Sequence, residues 1–195
     1  MAVGDSHASG ATRLAPDEAE GLIPSHIATR EQLDEWEAVN ILAAERWLAG
    51  RRKRDVLDDG FLRRLHKQMF SDTWRWAGRY RGTEKNIGVA PEQIAIAVRD
   101  LDADTKAQLA NPDASLDAIA ARFHHRLVSI HPFPNGNGRH ARLATDLLLE
   151  ANGAEPFSWG RGDLTHEGTA RERYIAALRA ADARDDAPLL AFVRS

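Results

Sequence analysis

An all-α fold is the prediction for this chain of 195 residues, and three observations carry it. Apolar residues recur at helical spacing in six successive segments, with a shorter seventh at the C-terminal end. Capping and stop residues flank several of these segments. A single stretch, residues 79 to 91, breaks the periodicity.

In chain order, residues 1 to 24 are rich in Ala, Gly, Asp, Glu and Pro and lack periodicity, which reads as a flexible or loosely docked arm. One domain is expected over 25–195. Thr29 is placed to cap a first helix with Leu33, Trp36, Val39, Ala43 and Trp47 on one face, ended by Gly50. Phe61, Leu62, Leu65 and Met69 repeat the spacing in a second helix, starting near Asp55 or Asp58. The stretch "RYRGTEKNIGVAP", 79 to 91, sets glycines around a short polar-to-apolar run and suits a β-hairpin or an extended loop. Pro91 leads into a third helix carrying Ile94, Val98, Leu101 and Leu109. Ser115 caps a fourth, with Ile119, Phe123, Leu127 and Ile130 inward. Leu143, Leu147 and Ala151 form a fifth, closed by Asn152-Gly153. Tyr174, Leu178 and Ala181 fit a sixth, and 189–193 a short last one.

Composition narrows the function classes. Hydrophobic content of 43% and charged content of 28% are those of an ordinary globular chain. The net charge of −3 speaks against nucleic acid or an anionic membrane as the main partner. Without cysteine there is no disulfide framework and no thiolate metal site, which suits a reducing cytosol. The N-terminus does not read as a signal peptide, and the longest strongly apolar run, 147–149, is far too short to span a bilayer. A cytoplasmic protein is the expectation.

The chemistry concentrates in "HPFPNGNGRHAR", 131 to 142. Pro132 disfavours helical geometry at His131, so the fourth helix ends there and presents an imidazole at its exit. Phe133 is the apolar anchor of an otherwise polar loop. Asn135, Gly136, Asn137 and Gly138 tolerate positive φ and can turn N–H groups inward. Such a loop running into a helix start is an anion site. Arg139 and Arg142, three apart, put two guanidinium forks on roughly one side of that helix. The assembly is a base candidate facing a phosphate cradle, where a divalent ion such as Mg²⁺ would bridge the phosphates. It is not a P-loop, because no Lys-Ser/Thr pair follows. On these residues alone, a phosphate site and a structural helix cap both remain open.

The same residues resemble the Fic motif, HxFx(D/E)GNGRxxR. His131, Phe133, Gly136, Asn137, Gly138, Arg139 and Arg142 match it. "FHHRLVSIHPF", "RLATDLLLEANG" and "RYRG…NIGV" are similar to the family's core, over about residues 30–185. The whole chain looks closest to the branch called mobile mystery protein B. The resemblance implies a Fic fold, a compact bundle of about six to eight helices with a small β-hairpin flap. It also implies AMP transfer from ATP to a Ser, Thr or Tyr hydroxyl of a target protein. His131 would be the general base. Gly136, Asn137 and Gly138 would form the anion hole, and Arg139 and Arg142 would hold the β- and γ-phosphates. Glu84, Lys85, Asn86, Ile87, Gly88 and Val89 would be the flap that docks the target.

One position departs. The family's acidic, Mg²⁺-holding residue is Asn135 here, a neutral oxygen ligand of weaker metal affinity. A working transferase, a shifted reaction (the Doc subgroup, with lysine there, resembles a kinase) and a weakened binding module are the alternatives. The family's inhibitory motif, (S/T)xxxE(G/N), is not intact. Glu20 and Glu167 precede glycines, but Pro16 and Asp163 stand where Ser or Thr is required. Control would come from a separate, antitoxin-like protein, for which the branch suggests a small helix-turn-helix partner, or from a divergent segment.

Other features take plainer readings. His124 and His125 point about 100° apart on a helix and do not converge with His131 on a metal, so His124 reads as a hydrogen-bonded structural residue. The basic run 51–54 reads as a solvated loop between helices. Trp74 and Trp76 read as core near the flap, and Tyr174 as core, although the resemblance would set it beside an adenine.

Overall fold

The computed structural model describes residues 21–27, 30–49, 55–164 and 168–195. Residues 1–20 of the expected arm, Thr29, Gly50, the basic run 51–54 and Glu167 lie outside the described residues. The described part is built from seven α-helices: α1 Arg30–Ala49, α2 Asp59–Phe70, α3 Ile94–Leu109, α4 Leu116–Ile130, α5 Asn137–Ala151, α6 Thr169–Asp182 and α7 Ala187–Val193. Short 3₁₀ turns at Pro91–Gln93 and Trp159–Arg161 complete it. Among the described residues, no helix is long and apolar enough to cross a membrane.

Local signals place the helix ends. The Asp58 carboxylate accepts the Phe61 N–H at 2.7 Å and starts α2, and Ser115 accepts from Ala118 to start α4. Pro91 occupies the first turn ahead of α3, where a missing N–H costs nothing. Helix α4 buries Ile119, Phe123, Leu127 and Ile130, as its spacing predicts. Tyr174, Leu178 and Ala181 are likewise buried on α6. Ala151, expected inward, lies exposed at the end of α5.

Helix α4 packs along both α3 and α5 and is central to the fold. Helices α1 and α2 pair on one side, and α6 and α7 on the other. Two hydrophobic clusters result. One gathers Phe61, Leu65, Phe70, Trp74, Phe123 and Leu127; the other gathers Leu149, Phe157, Tyr174, Leu189 and Phe192. Each such side chain withdrawn from water contributes about 1.5–3 kcal/mol before chain entropy is set against it. Residues 21–23 dock on this frame. Leu22 bridges Trp74, the Ile23 N–H donates to the Thr73 carbonyl and the Arg75 N–H to that of Gly21.

Two expectations need correction. The buried face of α1 is Leu33, Glu37, Asn40, Ala44 and Leu48, not the face running through Trp36, Val39 and Ala43. Val39 is 64% exposed, whereas Glu37 is 1% exposed. The apolar count misplaced the face because two of its inward residues are polar. Residues 79–90 form no hairpin either; they are an extended loop. Their main-chain groups pair with the last residue of α4 and the turn after it, through Val89 N–H to Ile130 O and Arg81 N–H to Pro132 O.

Candidate active site

The site is the turn that joins α4 to α5, residues 131–136, with the first turn of α5 below it and the loop 79–90 above it. His131 leaves α4 in the left-handed region, φ 52° and ψ 59°, a conformation histidine tolerates better than most residues. Such strain persists only where the surroundings over-determine it. Here its carbonyl is held by Arg81 Nε at 2.7 Å, and the next carbonyl, that of Pro132, by the Arg81 N–H at 3.0 Å. The imidazole is 5% exposed, and neither ring nitrogen has a hydrogen-bond partner among the described residues. Burial pushes its pKa down to about 4, the charges of Arg81 and Lys85 act in the same direction, and the Val128 backbone opposes them. At neutral pH this is an uncharged imidazole with its lone pair available.

Phe133 is fully buried and stacks on His66, ring centroids 3.7 Å apart. His66 is itself fixed. Its Nδ1 accepts the Gly78 N–H at 3.0 Å, so its proton sits on Nε2, which donates to the Asn135 carbonyl at 3.0 Å. Asn137 closes the loop from the other side. Its Oδ1 accepts the Phe133 N–H at 2.9 Å, and its Nδ2 donates to the Phe133 carbonyl at 2.7 Å. Asn137 therefore shapes the loop with its side chain and leaves only its N–H facing a ligand. Gly136 caps α5 with φ 77°, and a Cβ there would fall 2.6 Å from the Phe70 ring. Only glycine satisfies both conditions.

The first intrahelical bond of α5 runs from the His140 N–H to the Gly136 carbonyl. The N–H groups of Asn137, Gly138 and Arg139 therefore lack intrahelical acceptors, at the positive end of the helix dipole. The two arginines flank them and are held differently. Arg139 pairs with the Glu37 carboxylate at 2.6 Å and lies over Phe70. Arg142 lies over the Tyr174 ring, and burial pulls its pKa below the ordinary value.

Glu37 is the site residue that the sequence reading missed. It reaches Arg139 with one oxygen and accepts Trp74 Nε1–H at 2.6 Å with the other. Trp74 and Tyr174 are core, as expected. His124 is buried, with its Nε2 at 2.8 Å from the Tyr174 hydroxyl, which bears out its structural reading; His125 pairs with Asp182 on the surface.

Asn135 does not offer a ready metal site. Its Oδ1 accepts the Gly136 N–H at 2.7 Å, and its carbonyl is taken by His66. The neighbouring carboxylates are engaged as well, Glu37 by Arg139 and Asp146 by Trp159. No group of three or more His, Asp or Glu side chains among the described residues could hold a metal ion. A protein-held Mg²⁺, which prefers one or two carboxylates, does not fit this donor set.

Of the residues expected to form a flap, Val89 and Lys85 are partly buried, whereas Glu84, Asn86, Ile87 and Gly88 are exposed. Gly88 has φ 106°, and a Cβ on it would fall 2.8 Å from that of His131. The loop thus lies directly on the candidate base.

Over residues 56–149, just under half of its length, the chain matches the Fic/DOC family. The match spans this whole turn-and-helix unit. Protein adenylyltransferase fic-1 of Caenorhabditis elegans is 34% identical over 125 residues, 60% of this chain and 22% of that protein. The chain therefore spans about a fifth of that nematode relative. Probable protein adenylyltransferase y4lH of Sinorhizobium fredii is 29% identical over 184 residues, 87% of either chain. In fold, the N-terminal Fic domain of a VirB-translocated Bep effector protein from Bartonella quintana superposes with a TM-score of 0.73. It is 20% identical and covers 91% of both chains. The all-α Fic fold expected from the sequence is the fold observed.

Proposed function

We propose that this protein transfers AMP from ATP to a hydroxyl side chain of a target protein. The observation that carries the proposal is a buried, neutral imidazole with no partner among the described residues, set at the mouth of a helix start that bears two arginines. The adenylyltransferase names of the relatives support the same reading. The target oxygen attacks the α-phosphorus, its proton passes to His131, and the bond to the pyrophosphate oxygen breaks. Arg139, Arg142 and the N–H groups of 137–139 hold the β- and γ-phosphates and take up charge on the leaving group. A base with a pKa near 4 is weak, and polyphosphate charge arriving beside it raises that value. Mg²⁺ would travel with the nucleotide's phosphates, with Asn135 adding at most a neutral oxygen.

Residues 84–89 present backbone to the target. A groove of about 320 Å³ at their Val89 end, lined also by Ala97, Asp100, Arg126, Ser129 and Ile130, leaves room for a target side chain. The cytoplasm is the proposed compartment, in keeping with a chain free of cysteine. Because the inhibitory motif is not intact, we assign control to a separate antitoxin-like protein.

The test is labelling of lysate proteins with ATP carrying label at either the α- or the γ-phosphate. Label from α alone is expected; label from γ alone would make the protein a kinase. His131→Ala should abolish transfer, by at least about 100-fold, while ATP binding survives. Unchanged transfer would remove His131 from the mechanism.

A further inference from the structure

Arg81 is a buried cation whose contacts converge on main chain. It is 3% exposed, and each hydrogen bond made by its side chain ends on a backbone carbonyl. Two of those carbonyls bracket the flap: Nη1 donates to Thr83 O, just before it, at 2.9 Å, and Nη2 donates to Val89 O at its end. Two belong to the end of α4: Nε donates to His131 O at 2.7 Å, and Nη2 reaches Ile130 O at 3.4 Å. The α4 carbonyls form the negative pole of that helix, so the guanidinium also serves as its C-terminal counter-charge. Gly88 is wedged into the same contact. A Cβ there would fall 2.5 Å from Arg81 Nη2 and 2.8 Å from the His131 Cβ.

We propose that Arg81 is the positioning residue of the site, a single guanidinium that fixes the target-docking flap and His131 to each other. The proposal rests on the reading of His131 as base and 84–89 as flap. A flap without a strand ladder of its own has to borrow its order, and Arg81 supplies most of it. Because the same fork grips the His131 carbonyl, a displacement of the flap is a displacement of the base. The charged groups that face His131 are Arg81 and Lys85, and Glu84 faces Arg81.

Two substitutions separate the fork from the charge. Arg81→Lys keeps the charge, but one ammonium cannot span four carbonyls. It should raise the KM for the protein target and lower kcat, each about tenfold, and speed amide exchange across 83–89. The His131 titration should stay where it is. Arg81→Gln removes the charge as well, and the His131 titration, followed by NMR, should move up by about one pH unit. A target KM unchanged in Arg81→Lys, or a His131 titration unchanged in Arg81→Gln, would leave Arg81 a mere brace and overturn the proposal. Should either variant fail to fold, the wild-type protein still decides. The Arg81 Nε–H resonance should be protected from exchange and should shift as His131 titrates. A fast-exchanging signal, or one indifferent to that titration, overturns the proposal. The NMR measurements need no turnover. A wild-type protein that labels nothing with α-labelled ATP would therefore sink the transferase reading, while exchange and titration would still decide the role of Arg81.

Discussion

Helix α5 divides the molecule, and its two arginines are held differently by the two sides. On the α1–α2 side, Arg139 meets a carboxylate and a phenyl ring, Glu37 and Phe70. On the α6 side, Arg142 meets a phenol, Tyr174, backed by the neutral His124. One guanidinium is already neutralised at 2.6 Å, whereas the other is buried against a phenol and makes no ion pair among the described residues. The unequal pairing implies unequal jobs. In the proposed reaction Arg142 would take phosphate charge freely, whereas Arg139 would do so only in competition with Glu37.

The most damaging way to break this arrangement is at Gly136, whose close approach to Phe70 ties the loop to the α1–α2 side. Gly136→Ala combines a left-handed φ of 77° with a Cβ 2.6 Å from the ring. The expected loss is at least about 2 kcal/mol in denaturant unfolding, together with loss of ATP binding. A variant of normal stability would show that the loop has slack the packing does not reveal.

Next in size is a direct test of the asymmetry by ATP affinity. Arg142→Ala should weaken binding about 100-fold and Arg139→Ala about tenfold, since only the first removes an uncompensated charge-assisted bond. Glu37→Gln keeps a hydrogen-bond acceptor for Trp74 but frees Arg139. It should tighten ATP binding about threefold while lowering stability by about 1–3 kcal/mol, because a buried ion pair is broken. Weaker binding in Glu37→Gln would mean that Glu37 aims Arg139 at the phosphates and does not compete with them.

Acid should weaken both sides of α5 together. Burial lowers the pKa of His66 and His140 on the α1–α2 side and of His124 on the other, with His140 falling to about 4 and His124 to about 3. His131 joins them at about 4. Between the ordinary value of 6.5 and about 4 the unfolded chain binds these protons and the folded chain does not, so stability falls as pH falls through that window. Asp102 and Asp146, raised by burial to about 7 and about 6, act in the opposite direction. The histidines outnumber them, so unfolding at a fixed denaturant concentration should set in between pH 6 and 4. A flat profile there would mean that the buried rings gain hydrogen-bond acceptors on acidification.

What the sequence disclosed follows from how local each constraint is. The α4 face was legible because Ile119, Phe123, Leu127 and Ile130 satisfy one apolar spacing. The 131–142 unit was legible because proline, glycine and asparagine state backbone requirements in their own identities. Glu37 was not, since a carboxylate among Asp34, Glu35 and Trp36 looks like the wet side of a helix until its distant partner, Arg139, is in place. The hairpin expected at 79–91 failed for the same kind of reason. Its glycines did mark an irregular loop, but the groups that order it lie on the far side of α4's exit, reached through one arginine side chain.

Asn135 is the mildest lever and the most specific. Its carbonyl is held by His66 of α2, and its Oδ1 is folded back onto the Gly136 N–H at 2.7 Å instead of being presented to a ligand. Asn135→Asp keeps an oxygen for that N–H and adds a second oxygen with charge, which is what a hard cation needs. The Mg²⁺ concentration for half-maximal transfer should fall about tenfold, with stability changed by less than about 1 kcal/mol because the residue is only half-buried. An unchanged requirement would show that the residue serves the loop alone. In that case the arginines, and Arg142 above all, supply the phosphate charge compensation that an acid-bound metal would otherwise share.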